Sequence, residues 1–274
     1  MSEFRQTFKN LFPSALWEPL SETRYALQRA AQWPAAMLHP WRRESMARLD
    51  ALEGTHRGER CFIIGNGPSL KETDVSLLKD EHTFGMNRIY LAFPEWGFRT
   101  SYLVSVNDLV IKQCVDDFLA LDMPRFFSWR SRQFFPNLPI TSLPTFLHTT
   151  YTGPKFAQHA RGRLWEGATV TYVCLQLAFH MGFEKAILIG VDHSFISKGE
   201  ANKTVISQGD DLNHFDPRYF GEGFRWQLPD LDTSEAAYTL ARQAYESEGR
   251  EVVDATLGGK LQVFPKVDYL SLFS

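Results

Sequence analysis

From residue 60 to the C-terminus, short apolar runs alternate with segments of helical character. The apolar runs predict buried strands at residues 61–64, 83–87, 101–106, 125–129, 185–191 and 251–254. Helices are predicted between them, at residues 110–121, 170–181 and 232–248. Because strands alternate with helices, we expect an α/β fold: a Rossmann-like, doubly wound, mainly parallel sheet with helices on both faces.

Residues 1–58 have a different composition, rich in Trp, Phe, Arg and Ala. Prolines interrupt this zone and predict short helices, at residues 22–31 and 42–53. We therefore expect a helical N-terminal extension over residues 1–58. The remainder, residues 59–274, is predicted to be a Rossmann-like nucleotide-binding catalytic domain.

One apolar face in this extension is formed by residues 4–17. We expect the face to pack on the main domain, because amphipathic faces usually serve cores. A contact with a membrane surface or a partner is the alternative. Four aromatic and basic residues keep that alternative open: Trp33, Trp41, Arg42 and Arg43.

Three further segments lack a clear period. Residues 134–147 are predicted to be a loop broken by prolines, and residues 199–223 a polar loop. The aromatic and basic stretch at residues 148–165 is expected to cover the site as a lid or to bind a partner. An ordinary long connection is the alternative for this stretch.

The stretch CFIIGNGPS joins the first strand to a turn in which Gly65 and Gly67 flank Asn66. Such glycines permit positive φ angles and let a ligand approach outward-facing amides. Pro68 and Ser69 suit the first turn of a helix, whose N-terminus favours an anion. The turn is therefore predicted to be a phosphate or nucleotide cradle, with a plain structural turn as the alternative. It lacks both the third glycine of the dinucleotide fingerprint and the Gly-Lys-Ser/Thr of a P-loop.

Polar residues follow several of the other predicted strands. Asn87 and Asn107 end two strands, Thr169 opens a helix, and Asp192 and His193 follow the strand KAILIGV. The carboxyl ends of parallel strands share one edge, so we expect these residues near the glycine turn. The alternatives are an Asx turn at Asn87 and capping of backbone amides by Asp192.

The segment NHFDPRYFGEG carries the densest set of reactive side chains in the chain. It holds an imidazole, a carboxylate, a guanidinium and a phenol within six residues: His214, Asp216, Arg218 and Tyr219. Loops on α/β scaffolds often carry function, which favours a catalytic role. A surface loop held by its own hydrogen bonds is the alternative.

Composition narrows the class of partner. The net charge of −3 does not favour a nucleic-acid binder. Cys61, Cys114 and Cys174 form no Cys-x-x-Cys motif, a pattern typical of a reduced cytosolic protein without disulfides or zinc. No run reaches the roughly 18 apolar residues of a membrane span. We expect a cytoplasmic protein. Peripheral contact with the inner membrane face through residues 1–58, and assembly into a homo-oligomer, are the alternatives left open.

The order of motifs resembles a known family. FIIGNGPSLKETDVSLL with FGMNRIYL resembles the start of the bacterial family-42 sialyltransferases and of the related 6-hydroxymethylpterin diphosphokinase MptE-like family, which includes motility accessory factors. GATVTYVCLQLAFHMGFEKAILIGVDHSF, NHFDPRYFGEG and EVVDATLGGKLQVFPKVDY are most similar to the bacterial MptE-like proteins. The resemblance extends from about residue 60 to the C-terminus.

Resemblance to the sialyltransferases implies metal-independent transfer of a sugar from a CMP donor to a glycan or lipid-linked acceptor. His214 would be the general base, with His193 as the competing base, and Tyr219 would stabilise the leaving phosphate. The predicted catalytic residues are His214, His193, Tyr219 and Asp192. The predicted nucleotide-binding residues are Gly65, Asn66, Gly67, Pro68, Ser69, Asn87, Asn107, Thr169 and Arg218.

Resemblance to the pterin enzymes implies a different reaction. Transfer of a diphosphate from ATP requires Mg²⁺ and carboxylates to hold it. The carboxylates available for this are Asp192, Asp210, Asp211 and Asp216. A third alternative is a non-catalytic nucleotide-binding scaffold. We favour the sugar transferase, for which no metal or other cofactor is predicted.

Overall fold

An eight-stranded parallel sheet organises the computed structural model, which describes residues 27, 31, 33–151, 153–195 and 199–274. Its strands, in chain order, are β1 Arg60–Ile64, β2 His82–Met86, β3 Tyr102–Ser105, β4 Arg125–Ser128, β5 Thr145–Thr150, β6 Arg163–Trp165, β7 Lys185–Ile189 and β10 Glu251–Asp254. Their spatial order is β10-β7-β1-β2-β3-β4-β5-β6, and every neighbouring pair is parallel. The predicted parallel α/β fold is confirmed.

Helices cover both faces of the sheet. The α-helices are α1 Pro40–Leu52, α2 Phe93–Trp96, α3 Asp108–Gln113, α4 Val115–Ala120, α5 Val170–Met181 and α6 Leu231–Ser247. Short 3₁₀ turns complete several connections, including Pro68–Glu72 directly after β1. Two more strands, β8 Thr204–Ile206 and β9 Arg225–Gln227, form a small antiparallel ribbon.

Alternate residues of each central strand enter two separate apolar layers. On β1, Cys61 and Ile63 pack with α5 and α6, whereas Phe62 and Ile64 pack with the connections on the other face. Every residue of α5 is buried. Because two-sided burial removes the need for polar positions, these strands read as continuous apolar runs, which is why the sequence predicts them well.

The chain reverses its direction of travel across the sheet at β1. From β1 it advances strand by strand to β6, and α5 then returns it so that β7 lies on the other side of β1. In an open parallel sheet such a reversal leaves a crevice outside the carboxyl ends of the two strands. The fold therefore places a binding cleft between the ends of β1 and β7.

Two predictions for residues 134–165 are wrong. The sequence predicts a loop and then a lid, yet Thr145–Thr150 and Arg163–Trp165 are strands of the sheet. All six residues of β5 are buried although most are polar. Part of the reason is α1, which packs on β5 and whose Ser45 Oγ accepts the Phe146 N–H at 2.9 Å. Such burial depends on a distant helix and leaves no local apolar pattern.

Two smaller departures occur elsewhere. The predicted helix at residues 110–121 is two helices, because the backbone at Cys114 leaves helical geometry (φ −123°, ψ 19°). The predicted polar loop at residues 199–223 contains β8, which pairs with β9. These strands have three residues each, which is too short for an alternation of apolar and polar residues to be recognised in the sequence.

The described part of the N-terminal extension packs on the sheet. The predicted helix at residues 42–53 is confirmed as α1. Arg42 is completely buried and donates to the carbonyl oxygens of Arg161 and Gly162, and Trp41 stacks on Phe146. Arg42 is thus not available to a membrane surface, and Trp41 is half-buried. No helix within the described ranges is long and apolar enough to span a bilayer.

Other predictions for the extension cannot be compared with the structure. The apolar face at residues 4–17 lies outside the described residues, and so does most of the helix predicted at residues 22–31. Trp33, which is described, is 54% exposed, and Arg43 is also exposed.

We predict that His148, on β5, makes folding sensitive to acid. Burial, with the charges of Arg163, Arg42 and Arg130, lowers its pKa from 6.5 to about 4. The unfolded chain then binds a proton that the folded chain does not, so stability is lost as the pH falls from about 6.5 through 4. The full shift corresponds to about 3 kcal/mol.

Urea unfolding of the wild type and of His148→Gln between pH 7 and pH 4 tests this effect. Between pH 7 and pH 4 the free energy of unfolding should fall by up to about 3 kcal/mol less in the variant than in the wild type. His159→Gln, which removes an exposed histidine, is the matched control and should follow the wild type. Parallel curves for His148→Gln and the wild type would contradict the prediction.

Candidate active site

A cleft of about 220 Å³ opens at the carboxyl ends of β1 and β7. Its walls are the turns after β1, β2 and β7, the first turns of α5 and α6, and part of the loop at residues 211–220. The predicted site residues that line it are Gly65, Asn66, Gly67, Asn87, Asn107, Thr169, Asp192, His193, His214 and Tyr219. Residues from distant parts of the sequence thus meet at the switch point of the sheet.

Three predicted site residues lie outside the lining. Pro68 and Ser69 belong to the 3₁₀ turn that follows the glycines. The Arg218 side chain is 71% exposed and donates from Nε and Nη2 to the Asp216 carboxylate, at 3.0 and 2.6 Å. These hydrogen bonds lower the pKa of Asp216. The structure therefore does not bring Arg218 to the cleft as a phosphate ligand.

The glycines serve a purpose other than the one predicted. Gly67 has an ordinary φ of −68°, and Gly65 is not in the left-handed region either. A Cβ on Gly65 would lie 2.2 Å from the Gly190 carbonyl oxygen, and one on Gly67 would lie 1.8 Å from Asp192 Oδ2. Both positions need glycine because the turns after β1 and β7 touch.

The amides of Gly65, Gly67 and Ser69 are bonded within the protein, contrary to the predicted outward-facing cradle. The Gly65 and Gly67 N–H groups donate to the carbonyl oxygens of Ile189 and Gly190 at 2.7 and 2.9 Å. The main-chain N–H and the hydroxyl of Ser69 both donate to the Asp192 carboxylate, at 3.1 and 2.7 Å. Asp192 therefore caps the start of this 3₁₀ turn, which is the alternative role considered for it.

Asn66 offers the cleft an unused hydrogen-bond acceptor. The residue is buried, its Nδ2 donates to the Met86 carbonyl at 3.3 Å, and its Oδ1 has no partner among the described residues. A buried acceptor without a partner is costly and normally marks a place that water or a ligand fills. The Asn66 carbonyl oxygen also accepts the Phe215 N–H at 2.9 Å, which fastens the loop at residues 211–220 to the glycine turn.

His214, which is half-buried, pairs with the buried Asp211 at the cleft. His214 Nδ1 lies 2.7 Å from Asp211 Oδ2, and that carboxylate also accepts the N–H groups of Asn213 and Phe220. A carboxylate can only accept, so Nδ1 carries the proton and Nε2 of the neutral ring keeps its lone pair. The ring stacks on Tyr219 with a centroid separation of 4.0 Å. This arrangement orients an imidazole as a base.

The role of Asp211 as the partner of His214 is not predicted from the sequence, which marks this residue only as a magnesium ligand. An Asp-x-x-His spacing is the signal that would have paired them, because residues three apart meet across a turn.

Tyr219 connects this loop to the end of β2. It is almost wholly buried, which raises the pKa of its hydroxyl. Asn87 has φ 49°, and its Oδ1 accepts the Ser105 hydroxyl at 2.8 Å. Arg88 donates to the carbonyl oxygens of Arg218 and Tyr219. A raised pKa keeps the phenol neutral, so it remains a hydrogen-bond donor.

The remaining lining residues have structural partners. Asn107 Oδ1 caps α3 by accepting the Leu109 N–H at 2.9 Å, and Thr169 Oγ1 caps α5 by accepting the Thr171 N–H at 3.3 Å. His193 has φ 51°, and its Nε2 lies 2.9 Å from Glu235 Oε1. Capping holds the first turns of both helices at the cleft.

The carboxylates predicted for Mg²⁺ do not converge. Asp210 and Asp211 line a separate depression, Asp216 pairs with Arg218, and Asp192 holds Ser69. Over the described part of the chain, no group of three potential metal ligands lies together in the cleft. Mg²⁺ at a nucleotide is held by one or two carboxylates together with the phosphates. Of the four predicted carboxylates only Asp192 lines the cleft, and it is already bonded to Ser69.

A second lobe, of about 600 Å³, shares Asn107 and Thr169 with the cleft and extends to Tyr151 and Glu166. Burial raises the pKa of Glu166, although Arg130 Nη2 lies 2.9 Å from its Oε1. The Arg130 guanidinium also lies 4.3 Å from the centre of the Tyr151 ring. Neither Glu166 nor Arg130 is predicted from the sequence, because both lie in segments without motifs.

The fold is that of a parallel α/β protein with a cleft at the switch point of its sheet. The chain belongs to the 6-hydroxymethylpterin diphosphokinase MptE-like family, whose family model matches residues 41–198. The predicted membership is confirmed. The chain is also similar to the MAf glycosyltransferase from Magnetospirillum magneticum AMB-1, with 12% identity and a TM-score of 0.44. That alignment covers 84% of this chain and 38% of that one. No curated protein matches the sequence.

Gly67→Ala is predicted to lower the stability of the folded protein. The added Cβ would collide with the Asp192 carboxylate and separate it from Ser69. Overpacking of this kind costs about 1–3 kcal/mol of unfolding free energy. Gly209→Ala is the control, because a Cβ at that position would have no neighbouring atom within 4 Å. Equal urea midpoints for the two variants would show that the turns after β1 and β7 do not need this contact.

Proposed function

We propose that the chain is a nucleotide-sugar-dependent glycosyltransferase in which His214 is the general base. The observation that carries the proposal is the Asp211–His214 pair at the switch-point cleft. Membership of a family named for a diphosphokinase supports a substrate that carries phosphate. The resemblance to the sialyltransferases supports a CMP-sugar as the donor.

In this reaction His214 Nε2 accepts the proton of the acceptor hydroxyl as that oxygen attacks the anomeric carbon of the donor. The bond from the anomeric carbon to the nucleotide phosphate breaks, and the nucleotide leaves with the bonding electrons. Imidazole suits this step because it exchanges protons near neutral pH. Asp211 keeps the ring in the required tautomer and stabilises the imidazolium that forms.

Neutral donors then meet the leaving phosphate. Tyr219 and Asn87 both line the cleft, and the buried phenol keeps its proton. Fixed donors of this kind stabilise developing negative charge without reorganising. The unpaired Oδ1 of Asn66 would accept a hydrogen bond from the nucleotide, for which a ribose hydroxyl or the amino group of cytosine is a suitable donor.

The second lobe supplies room for the sugar or the acceptor. It adjoins the cleft through Asn107 and Thr169 and is lined by polar groups, as a carbohydrate would require. The acceptor we propose is a glycan or lipid-linked molecule.

The family description favours a second candidate, diphosphate transfer from ATP. That reaction needs carboxylates that hold Mg²⁺ between the phosphates. The dispersed positions of Asp192, Asp210, Asp211 and Asp216 give it less support than the paired histidine gives to sugar transfer.

Turnover of a panel of CMP-sugars, measured as CMP release with glycan acceptors, tests the proposal. His214→Gln should lower turnover about 10²- to 10⁴-fold, the usual contribution of a general base. Nucleotide affinity should stay close to that of the wild type. Asp211→Asn should also lower turnover, because the tautomer is no longer fixed.

His193→Gln is the matched control, since His193 lines the same cleft and pairs with the exposed Glu235 instead. This variant should keep most of the wild-type turnover. Full activity in His214→Gln together with its loss in His193→Gln would move the base to His193 and refute the assignment. CMP binding without turnover of any donor would favour the scaffold.

A further inference from the structure

Two histidines and a glutamate meet at the amino-terminal edge of the sheet, opposite the cleft. His56 and Glu59 lie in the turn between α1 and β1, and His82 opens β2. His56 Nδ1 lies 2.6 Å and His82 Nε2 lies 3.1 Å from the same atom, Glu59 Oε2. All three ligand atoms lie within 4.8 Å of one another.

This donor set is the one that zinc prefers. Zn²⁺ binds imidazole nitrogen and carboxylate oxygen at about 2.0–2.2 Å, so tetrahedral ligand atoms lie about 3.4 Å apart. The 3.1 Å between His82 Nε2 and Glu59 Oε2 is close to this value, and the 2.6 Å between His56 Nδ1 and the same oxygen would lengthen when an ion binds. A metal ion would replace the protons that now join the two rings to the carboxylate, and water would supply the fourth ligand.

The surrounding residues hold His56 in place. Its Nε2 lies 2.9 Å from the Tyr102 hydroxyl, and its ring stacks on Phe183 at a centroid distance of 4.4 Å. A hydroxyl can accept or donate, so this contact survives when Nδ1 binds a metal. Histidine ligands of metals usually have such an outer partner, which fixes the ring. The main-chain N–H of His56 donates to the Met181 carbonyl at 2.8 Å.

We propose that His56, Glu59 and His82 form a binding site for a divalent transition-metal ion of the Zn²⁺ type. The site is separate from the cleft, because the five residues of β2 place the two edges roughly 16 Å apart. Glu59 and His82 are partly exposed, so an ion can enter from solvent. Bound metal would tie the turn after α1 to the start of β2 and so join the extension to the sheet.

A second cluster, Glu53, His159 and His180, also has metal-binding groups close together. It is the weaker candidate, because two of its three members, Glu53 and His159, are exposed. His159 is 70% exposed and provides a matched histidine for comparison. Variants in the two clusters therefore show at which of them an ion binds.

The test is calorimetric titration of ZnCl₂ into the full chain after treatment with a chelator, with Tm measured in parallel. We expect one Zn²⁺ per chain and a rise in Tm. His82→Gln and Glu59→Gln should each weaken the affinity at least tenfold and abolish the rise, since both replace partly exposed ligands. His159→Gln should match the wild type.

Absence of Zn²⁺ binding by the wild type would overturn the proposal. It would equally be overturned by binding that survives both His82→Gln and Glu59→Gln, or that is lost in His159→Gln alone. The Tm of each variant without metal, compared with that of the wild type, shows that these losses do not come from unfolding.

Discussion

Contact between the turns after β1 and β7 determines the geometry of the site. Gly65 and Gly67 bring one backbone onto the other so closely that a Cβ at either position would overlap Gly190 or Asp192. Hydrogen bonds from Gly65 and Gly67 to β7 and the residue after it, and from Ser69 to Asp192, then join the two turns. The cleft lies beside this junction, so its walls are fixed by backbone contacts rather than by flexible side chains.

The loop at residues 211–220 depends on the same junction. Phe215 N–H binds the Asn66 carbonyl, Arg88 holds the carbonyl of Tyr219, and Asp211 accepts Phe220 N–H. These bonds present His214 with its proton already on Nδ1. Preorganisation of this kind is what a general base requires, because the ring need not reorient as the reaction proceeds.

Much of the sheet is predictable from the sequence, because strands buried on both faces are continuous apolar runs. β5 is not predicted, since its polar residues are buried by distant parts of the chain, including the neighbouring strands β4 and β6 and the helix α1. Polar residues at strand ends correctly indicate the edge that carries the cleft. The reason for Gly67 does not follow from local sequence, because the atom that excludes a side chain belongs to Asp192. The pairing of His214 with Asp211 is missed for a different reason: the Asp-x-x-His spacing lies in a loop without a clear pattern, where the sequence analysis marks Asp211 only as a metal ligand.

The central claim is that the switch-point cleft binds a nucleotide through residues of the β1 turn. Calorimetric titration of the full chain with CMP, repeated with ATP and with and without Mg²⁺, tests it most directly. We predict that CMP binds with the same affinity in both conditions, and that Asn66→Ala, which removes the unpaired acceptor, weakens it. Binding of ATP only with Mg²⁺, or CMP affinity unchanged in Asn66→Ala, would contradict this account.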